Sequence, residues 1–527
     1  MSTPKWCRAI ALTELEETGR GLFRKDGRQI AIFKSESGIL ACNNRCPHEG
    51  YPLSEGSLVN CVLTCNWHNW KFNLETGGNL YGGDRLRTYP TQIRGADVWI
   101  DLSDPPFETR YHEINRSLED AFEDNAYDRI AREIARLRLL GADPLDAVKH
   151  AICWSFERME YGWTHAFAGA ADWLSLYDEY EGDEETQLVC LLEIVAHLAD
   201  DVLREKRYPF EENESPFDED DFVAAIEAED EAAAISLLRG GLSEGLGFAD
   251  FEKALTRCAL AHYNDFGHSL IYTSKAGVLI NRLGESVATP LLLSLVRSLV
   301  YATREDLIPQ FHRYGEALDQ WGESGIRDSV SADDLMGLGV NQALDLIGDA
   351  CRAPAIELYA ALLGANAQNM LTYDLYYQNQ THRPVQDNVG WLDFSHGLTF
   401  ANAVRSQCTK FPELWPQGLL QLACFSGRNA SYADFDQDTE KWHVEDVPLF
   451  FDDAIQSLFD HGRDDFIVSV HLLKTVYAVR EEVRSGLECD AEATMLAALN
   501  RLLHEPLKRK QARRTAQQSI SFVSRDG

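Results

Sequence analysis

The sequence predicts a two-domain protein: a small all-β domain followed by a large all-α domain with an internal helical repeat. Apolar and polar residues alternate from Gly21 to Phe33, and Lys25-Asp26-Gly27-Arg28 within this stretch has the Asp-Gly pair typical of a β-hairpin turn. Asp104-Pro105-Pro106 interrupts this pattern, and Ala, Leu, Glu and Arg then recur at helical spacing. We therefore expect domains at residues 1–105 and 106–507, and a basic flexible tail at 508–527.

The composition indicates a large globular protein and narrows its partners. A length of 527 residues with 45% hydrophobic content is enough for several domains, and a net charge of −35 argues against binding nucleic acid. Twelve cysteines in so long a chain do not form a secreted disulfide framework. The longest apolar stretches are broken by charges and the N-terminus lacks an export pattern, so we expect no membrane partner and a cytoplasmic location.

Two short motifs, Cys46-Pro47-His48 and Cys65-Asn66-Trp67-His68, bring together two thiols and two imidazoles. This is the ligand set of a [2Fe–2S] centre in which two histidines replace two cysteines on one iron. A Cys2His2 zinc site uses the same four ligands. Zinc fingers, however, group the two cysteines and the two histidines separately, whereas each motif here is mixed. The iron–sulfur interpretation is therefore favoured over zinc and over a chance array.

The residues around both motifs, from Cys46-Pro47-His48-Glu49-Gly50 and from Cys65-Asn66-Trp67-His68-Asn69, resemble the ligand loops of Rieske-type ferredoxin domains. The resemblance covers about the first hundred residues. It implies that Cys46 and Cys65 hold the inner iron, and that His48 and His68 hold the outer iron near the surface. Asn69 replaces the usual glycine, which leaves the geometry of that turn open.

The electronic properties of such a centre follow from its ligands. Neutral histidines leave less negative charge on the cluster than four thiolates, which raises its potential and places the exchanged electron near the surface. Cys42 and Cys61 precede the ligand cysteines, whereas the loop disulfide of respiratory Rieske proteins follows them. We therefore expect packing thiols and the lower-potential, soluble ferredoxin type, which transfers one electron at a time.

Four histidines recur in similar contexts in the helical part. Phe266-Gly267-His268 and Phe394-Ser395-His396 belong to two segments with the same order of features, and Thr164-His165 and His471-Leu472-Leu473-Lys474 resemble them. One histidine on an apolar helix is usually a core residue, but four on converging helices can assemble an iron site. Lys474 shares a helix face with His471. As a ligand it must be deprotonated or converted to a carbamate; the alternative is a surface lysine.

This ordered series of histidines in an all-α chain is similar to the questin oxidase-like family of oxygenases. The resemblance implies oxygen-dependent oxidation or ring cleavage of anthraquinone-like aromatics at a non-haem iron. It makes the four histidines candidate ligands with Lys474 as a fifth: His165, His268, His396, His471 and Lys474. His197 and His262 are the next candidates.

A conventional Rieske ring-hydroxylating enzyme is the competing oxygenase. Its mixed α/β catalytic domain holds iron with two histidines and one carboxylate, but here the nearest histidine pair, His262 and His268, is too widely spaced and strands are lacking. We expect an iron-dependent oxidoreductase in which the [2Fe–2S] cluster feeds electrons to a non-haem iron for O2-dependent oxidation of an aromatic substrate. A ferredoxin or reductase is the expected donor, because the sequence has no nucleotide-binding fingerprint.

Five aromatic residues near the candidate ligands in sequence are expected to line an apolar substrate pocket: Trp163, Trp173, Tyr272, Trp391 and Phe394. Each of them alone is more simply an ordinary core residue. Two alternatives to an oxygenase remain. The helical part could dock the Rieske domain on a separate oxygenase, making the protein an electron-transfer component, or the chain could be a redox sensor.

Overall fold

A computed structural model describes residues 4–304, 307–323, 325–379, 389–486, 491–505, 507 and 512–524. The chain divides into two units, Met1–Ala151 and Ile152–Gly527. The prediction of a small β domain followed by a large helical domain is confirmed. The first unit also contains helical residues after its last strand, and the expected boundaries at residues 105 and 507 stay predictions.

The β part of the first unit consists of three small antiparallel sheets with strand orders β1-β10-β9, β2-β3-β4-β8 and β5-β6-β7. The strands are β1 (Trp6–Ala11), β2 (Arg20–Lys25), β3 (Arg28–Ser35), β4 (Gly38–Asn43), β5 (Ser57–Val59), β6 (Val62–Thr64), β7 (Lys71–Asn73), β8 (Thr88–Tyr89), β9 (Thr91–Arg94) and β10 (Asp97–Asp101), with one helix, α1 (Leu12–Thr18), after β1. The predicted hairpin turn joins β2 to β3: Asp26 and Gly27 both have positive φ, 49° and 74°.

One apolar cluster of the first unit positions the two cysteine motifs. Phe33, Leu63 and Phe72 are 2% exposed or less, and the side chains of Cys46 and Cys65 belong to the same cluster. The first motif follows β4, and the second connects β6 to β7. Both motifs are therefore loops whose cysteine ends are buried in a common core.

Helices account for the regular structure of the described residues after Asp101. They are α2 (Phe107–Glu123), α3 (Tyr127–Leu140), α4 (Asp146–Ser155), α5 (His165–Glu179), α6 (Glu184–Asp201), α7 (Glu219–Glu227), α8 (Glu231–Ser243), α9 (Phe248–Ala261), α10 (Asn264–Leu283), α11 (Glu285–Val300), α12 (Tyr314–Asp319), α13 (Ala332–Leu335), α14 (Val340–Asp349), α15 (Ala355–Leu371), α16 (Leu375–Asn379), α17 (Trp391–Lys410), α18 (Trp415–Asn429), α19 (Val447–Phe459), α20 (Phe466–Arg484), α21 (Ala491–His504) and α22 (Ala512–Val523). None of the described helices is long and apolar enough to cross a membrane.

Four helices of the second unit form a closed ring, in which each helix packs against the next: α5 contacts α10, α10 contacts α17, α17 contacts α20, and α20 contacts α5. Small residues permit the close approaches. Gly169 of α5 faces Val470, and Gly267 of α10 faces Phe400, at positions where a Cβ atom would overlap the partner side chain. Because each helix of the ring carries one of the predicted histidines near its first turns, this packing decides whether those histidines meet.

Two features bear on the predicted repeat and tail. Helices α10 and α17 each have 20 residues, and each is followed by a helix with a proline in its first half, Pro290 and Pro416. The internal helical repeat itself stays a prediction. The tail contains helix α22 where a flexible segment is expected, while residues 508–511 and 525–527 lie outside the described residues.

Candidate metal centres

The two cysteine motifs form loops of equivalent conformation. In the first loop the Gly50 N–H donates to the carbonyl of Cys46 (2.8 Å), and the Cys46 N–H donates to the carbonyl of Tyr51 (2.9 Å). In the second loop the Asn69 N–H donates to the carbonyl of Cys65 (2.9 Å), and the Cys65 N–H donates to the carbonyl of Trp70 (2.7 Å). The same pair of backbone hydrogen bonds therefore closes the turn after each cysteine, although the histidine follows its cysteine by two residues in the first loop and by three in the second.

Asn69 occupies the position equivalent to Gly50 and adopts the same left-handed conformation. The φ angles are 75° for Gly50 and 62° for Asn69. Asparagine is among the few residues with a side chain that enter this region readily, and here its amide oxygen accepts a hydrogen bond from Lys71 Nζ (2.8 Å). The replacement of the usual glycine therefore leaves the turn intact.

The four side chains of the two loops separate into a buried and an accessible pair. Cys46 and Cys65 are 3% and 1% exposed, and burial raises the pKa of the Cys46 thiol to about 11. The Nδ1 atoms of His48 and His68 face each other at 3.1 Å, and the His68 side chain is 38% exposed. A thiol so poorly ionised becomes a good ligand only when a metal displaces its proton. Two buried sulfurs and two facing ring nitrogens thus suit an iron pair with one solvent-near edge.

The two histidines have different neighbours. Trp70 stacks on the His48 ring with a centroid distance of 4.6 Å and an interplanar angle of 13°. His68 lies beside Trp67, which is 62% exposed, and its Nε2 is 3.7 Å from Glu49. The His48 side of the site is therefore packed, while the His68 side is open to a partner.

Cys42 is fully buried, Cys61 contacts Ser37 and Glu75, and both are free thiols.

In the second unit the four predicted histidines converge. His165, His268, His396 and His471 each offer one ring nitrogen, and these four atoms all lie within 4.8 Å of one another. The Nε2 separations are 2.9 Å from His165 to His268, 2.9 Å from His268 to His396, and 3.3 Å from His396 to His471. The four imidazoles therefore meet at one point. Each of the helices α5, α10, α17 and α20 contributes one of them.

Backbone hydrogen bonds fix which ring nitrogen points inward. The Nδ1–H of His268 donates to the carbonyl of Asn264 (2.9 Å), and His396 and His471 donate in the same way to the carbonyls of Leu392 and Ile467, four residues earlier in each helix. A proton on Nδ1 leaves the Nε2 lone pair of a neutral imidazole free. At least three lone pairs thus point at each other, an arrangement that is unfavourable unless a cation lies between them.

Protonation of one of the histidines does not readily supply this positive charge. Burial lowers the pKa of His268 to about 3, and burial with the neighbouring ring charges holds the pKa values of His165, His396 and His471 well below their ordinary range. A neutral imidazole with a free Nε2 lone pair is a common metal ligand. The donor set of this site therefore fits a metal ion.

Lys474 is buried close to the four rings. It is 2% exposed, its Nζ has no hydrogen-bond partner, and burial lowers its pKa to about 7. The surface-lysine alternative is therefore wrong. A cavity of about 10 Å³, which is close to the space one water needs, adjoins Lys474 and the unpaired Thr399 hydroxyl. Sequence patterns did not indicate Thr399, or the ion pair between Lys275 Nζ and the buried Asp172 Oδ1 (2.6 Å), whose lysine lines the same cavity as Lys474.

The backbone is strained beside the His268 ring. Asn264, Asp265 and Phe266 have φ angles of 43°, 45° and 69°, and Gly267 continues the left-handed stretch at 82°. A bulky residue such as phenylalanine rarely adopts this conformation, and such strain concentrates at functional sites. The turn places the Phe266 ring against His396 at a centroid distance of 5.6 Å. The strained segment therefore contributes to the surroundings of two of the four histidines.

A cavity of about 460 Å³ reaches His165, and its lining is acidic. Asp200, Asp201, Asp464 and Asp465 line it together with His165 and His197. Of the five aromatic residues expected around an apolar pocket, Tyr272 lies beside His165 and His268, with centroids 6.2 and 5.4 Å away. The other four are core residues: Trp163 packs on Phe167, Trp173 on Phe459, and Trp391 and Phe394 on Tyr373.

The two reserve candidates lie outside the four-histidine group. His197 Nε2 is 3.5 Å from Asp201, and its ring stacks on Phe466. His262 is fully buried, and its Nε2 is 3.1 Å from Glu227. In the folded chain the Nε2 atoms of both residues therefore face carboxylates and not the four-histidine group.

Comparisons with known proteins concern the first unit. A family model for the Rieske [2Fe-2S] domain matches residues 5–90. The ferredoxin component of the naphthalene 1,2-dioxygenase system from Pseudomonas aeruginosa is 34% identical over 103 residues, 19% of this chain and 99% of that protein. The 4beta-methylsterol monooxygenase of Methylococcus capsulatus is 34% identical over 91 residues, 15% of this chain and 25% of that protein.

A solved structure, the ferredoxin of carbazole 1,9a-dioxygenase from Nocardioides aromaticivorans IC177, aligns with 23% identity and a TM-score of 0.17 over 19% of this chain and 97% of that chain. The sequence relationship at 34% identity spans almost the whole of the naphthalene dioxygenase ferredoxin, and the two equivalent loops supply the thiols and imidazoles that a Rieske centre needs. Through its N-terminal residues, the chain belongs to the Rieske [2Fe-2S] domain family.

Proposed function

We propose that the protein is an iron-dependent oxidoreductase in which a Rieske [2Fe–2S] cluster supplies electrons to a second, mononuclear non-haem iron in the helical unit. The reaction is the O2-dependent oxidation of an organic, aromatic substrate. A separate ferredoxin or reductase reduces the cluster. The observation that carries the proposal is the convergence of four Nε2 atoms in the second unit.

The cluster ligands are Cys46 and Cys65 on the inner iron and His48 and His68 on the outer iron. The facing Nδ1 atoms and the two buried thiols support this assignment. When bound, the cluster supplies single-electron transfer at its histidine edge. The exposed His68 side, with Trp67 beside it, is where an electron donor can approach.

The second iron is held by His165, His268, His396 and His471. Successive Nε2 atoms of the four rings are 2.9, 2.9 and 3.3 Å apart, so one metal ion between them could be bound by all four imidazoles.

The residues of the second unit have separable roles in this proposal. The carbonyls of Asn264, Leu392 and Ile467 hold the rings with Nε2 inward, a constraint of the kind that sustains metal affinity. Lys474, as a neutral amine or a carbamate, is the fifth ligand. When bound, iron supplies the activation of O2. Burial of three of the rings excludes bulk water, and the cavity at His165 gives access from solvent.

The related proteins support an oxygenase pathway. The relatives include a ferredoxin component of a naphthalene dioxygenase system and a methylsterol monooxygenase, so the same domain occurs in carriers and within larger oxidoreductases. In this chain it precedes a helical unit with its own candidate metal site. The competing function, an electron carrier whose helical unit only docks on a separate oxygenase, does not account for the four converging ring nitrogens.

Metal analysis of the purified, reconstituted protein separates the two functions. The oxygenase predicts about three irons per chain, two in the cluster and one at the histidines, whereas the carrier predicts two. His268→Gln and His396→Gln should each lose one iron and the O2 consumption while keeping the cluster signal in electron paramagnetic resonance. His504→Gln is the matched control, because exposed His504 also donates Nδ1–H to a carbonyl four residues earlier. Two irons in the wild type, with O2 consumption unchanged in both variants, would contradict the oxygenase.

A further inference from the structure

A fully buried carboxylate in the first unit joins the β part to helix α3. Asp84 is 0% exposed and lies in the loop between β7 and β8. Arg132 donates to both of its oxygens (3.0 and 2.6 Å), and Arg136 donates a third hydrogen bond (2.8 Å). Burial alone would raise the pKa of Asp84, but the two guanidinium groups outweigh it and lower that pKa. The carboxylate is therefore charged and held from two successive turns of one helix.

The α3 side of the Asp84 contact is held in place by further buried groups. Arg136 also binds Glu133, which is 2% exposed and accepts a hydrogen bond from Ser117 Oγ of α2 (2.6 Å). Arg129 Nη2 donates to the same hydroxyl (2.9 Å). Because α2 and α3 are tied by this buried network, the position of Asp84 is defined by a helix pair rather than by one mobile side chain.

The same loop reaches the His48 side of the cluster site. Gly83, the neighbour of Asp84, faces the Trp70 ring: a Cβ atom on it would meet the indole at 3.4 Å, an ordinary van der Waals distance, and Trp70 stacks on His48. His48, Trp70, Asp84 and Arg132 line one cavity of about 320 Å³. A continuous set of contacts therefore links α3 to one of the two histidines at the cluster edge.

We propose that Asp84 is a positioning residue for electron transfer: held by Arg132 and Arg136, it fixes His48 through Gly83 and Trp70, and the balance of these buried charges sets the reduction potential of the cluster. The proposal rests on His48 as a cluster ligand and not on the second iron. Helix pair α2–α3 is accordingly part of the electron-transfer apparatus.

The sign of the effect follows from electrostatics. Reduction adds one negative charge to the cluster, so a nearby negative charge disfavours it and a nearby positive charge favours it. Asp84 is withdrawn from water, and its charge is poorly screened. Removing the carboxylate should therefore raise the potential, while removing one guanidinium should lower it. A substitution that only distorted the structure would not be expected to raise the reduction potential at Asp84 and lower it at Arg132.

The test is a redox titration of the full chain, monitored by electron paramagnetic resonance, on Asp84→Asn and Arg132→Gln. At a fixed ambient potential, Asp84→Asn should increase the ratio of reduced to oxidised cluster, and Arg132→Gln should decrease it, each by about threefold or more; tenfold corresponds to about 59 mV for one electron. Asp84→Asn should also shift the g values, because His48 loses its support.

Asp104→Asn is the matched control. Asp104 is also held by two arginines, Arg87 (2.7 Å) and Arg28 (3.1 Å), but its side chain is 39% exposed. Shifts of the same sign in Asp84→Asn and Arg132→Gln, or shifts no larger than in Asp104→Asn, overturn the proposal. If Asp84→Asn does not retain its cluster, Arg132→Lys, which keeps the charge, and Arg132→Gln decide the question. A wild type without a Rieske signal would refute the cluster ligands themselves.

Discussion

The four converging histidines predict that the metal-free helical unit loses stability steeply in acid. Their pKa values are lowered in the folded protein, to about 3 for His268, whereas an unfolded chain has the ordinary value of about 6.5. Below pH 6.5 the histidines of the unfolded state therefore bind protons, whereas those of the folded state stay neutral. The stability is fully present above the unfolded pKa and is lost as the pH falls through it.

The size of the loss follows from the number of groups. Each histidine whose folded pKa is far below 6.5 contributes about 1.4 kcal/mol per pH unit once the pH is below the unfolded pKa. Between pH 7.5 and 5.5 this amounts to about 1.4 kcal/mol for each ring, or on the order of 5 kcal/mol for four. A typical domain has about 5–15 kcal/mol of stability, so the effect should be large.

Denaturant unfolding of the metal-stripped protein, followed by far-ultraviolet circular dichroism at several pH values, measures this dependence. Each of His268→Gln, His396→Gln and His471→Gln should reduce the slope of the unfolding free energy with pH by about one proton. His504→Gln is the control variant, because that ring is exposed and lies outside the four-histidine group. A variant of a buried histidine with the wild-type slope would show that its ring is already protonated in the folded state and would refute the reasoning.

Three further predictions concern single side chains. His68→Cys should lower the reduction potential of the cluster, measured by redox titration, because a thiolate replaces a neutral ligand; an unchanged potential would argue against His68 as a ligand. Asn69→Gly should leave the thermal stability of the loop nearly unchanged, whereas Asn69→Val should cost about 1–2 kcal/mol because of the φ angle of 62°; equal melting temperatures would contradict the strain. Lys474→Met should weaken iron binding at pH 8 by about tenfold or more in a chelator competition, with Lys253→Met, whose side chain is 45% exposed, as the control; unchanged affinity would exclude Lys474 as a ligand.

Local sequence was sufficient for the order of the two structural classes and for the candidate ligands. The Asp26-Gly27 turn, the two cysteine motifs and the helical spacing after Asp104-Pro105-Pro106 each depend on neighbouring residues, and each has the structure expected of it. The four histidines were selected by similar local contexts, and the folded chain brings them together. Their role as ligands, like that of Cys46 and its partners, stays a prediction.

Other features could not be predicted, because they depend on contacts between distant segments. The expected pocket of aromatic residues is absent among the five named positions, since proximity in sequence to a histidine does not determine which way a neighbouring side chain points. The cavity at His165 instead combines aspartates from the end of α6 and the start of α20. The contact of Asp84 with Arg132 and Arg136 likewise joins residues about fifty positions apart.

The sequence by itself determined which candidate ligands are present: thiols and imidazoles at fixed short spacing for the first centre, and one histidine near the first turns of each of four helices for the second. The tertiary structure decided their environment. Helix packing turned the Nε2 lone pairs toward one another and removed three of the rings and Lys474 from water. Ligand identity is a property of residues, whereas ring orientation, protonation and access arise from burial and from contacts that only the folded chain creates.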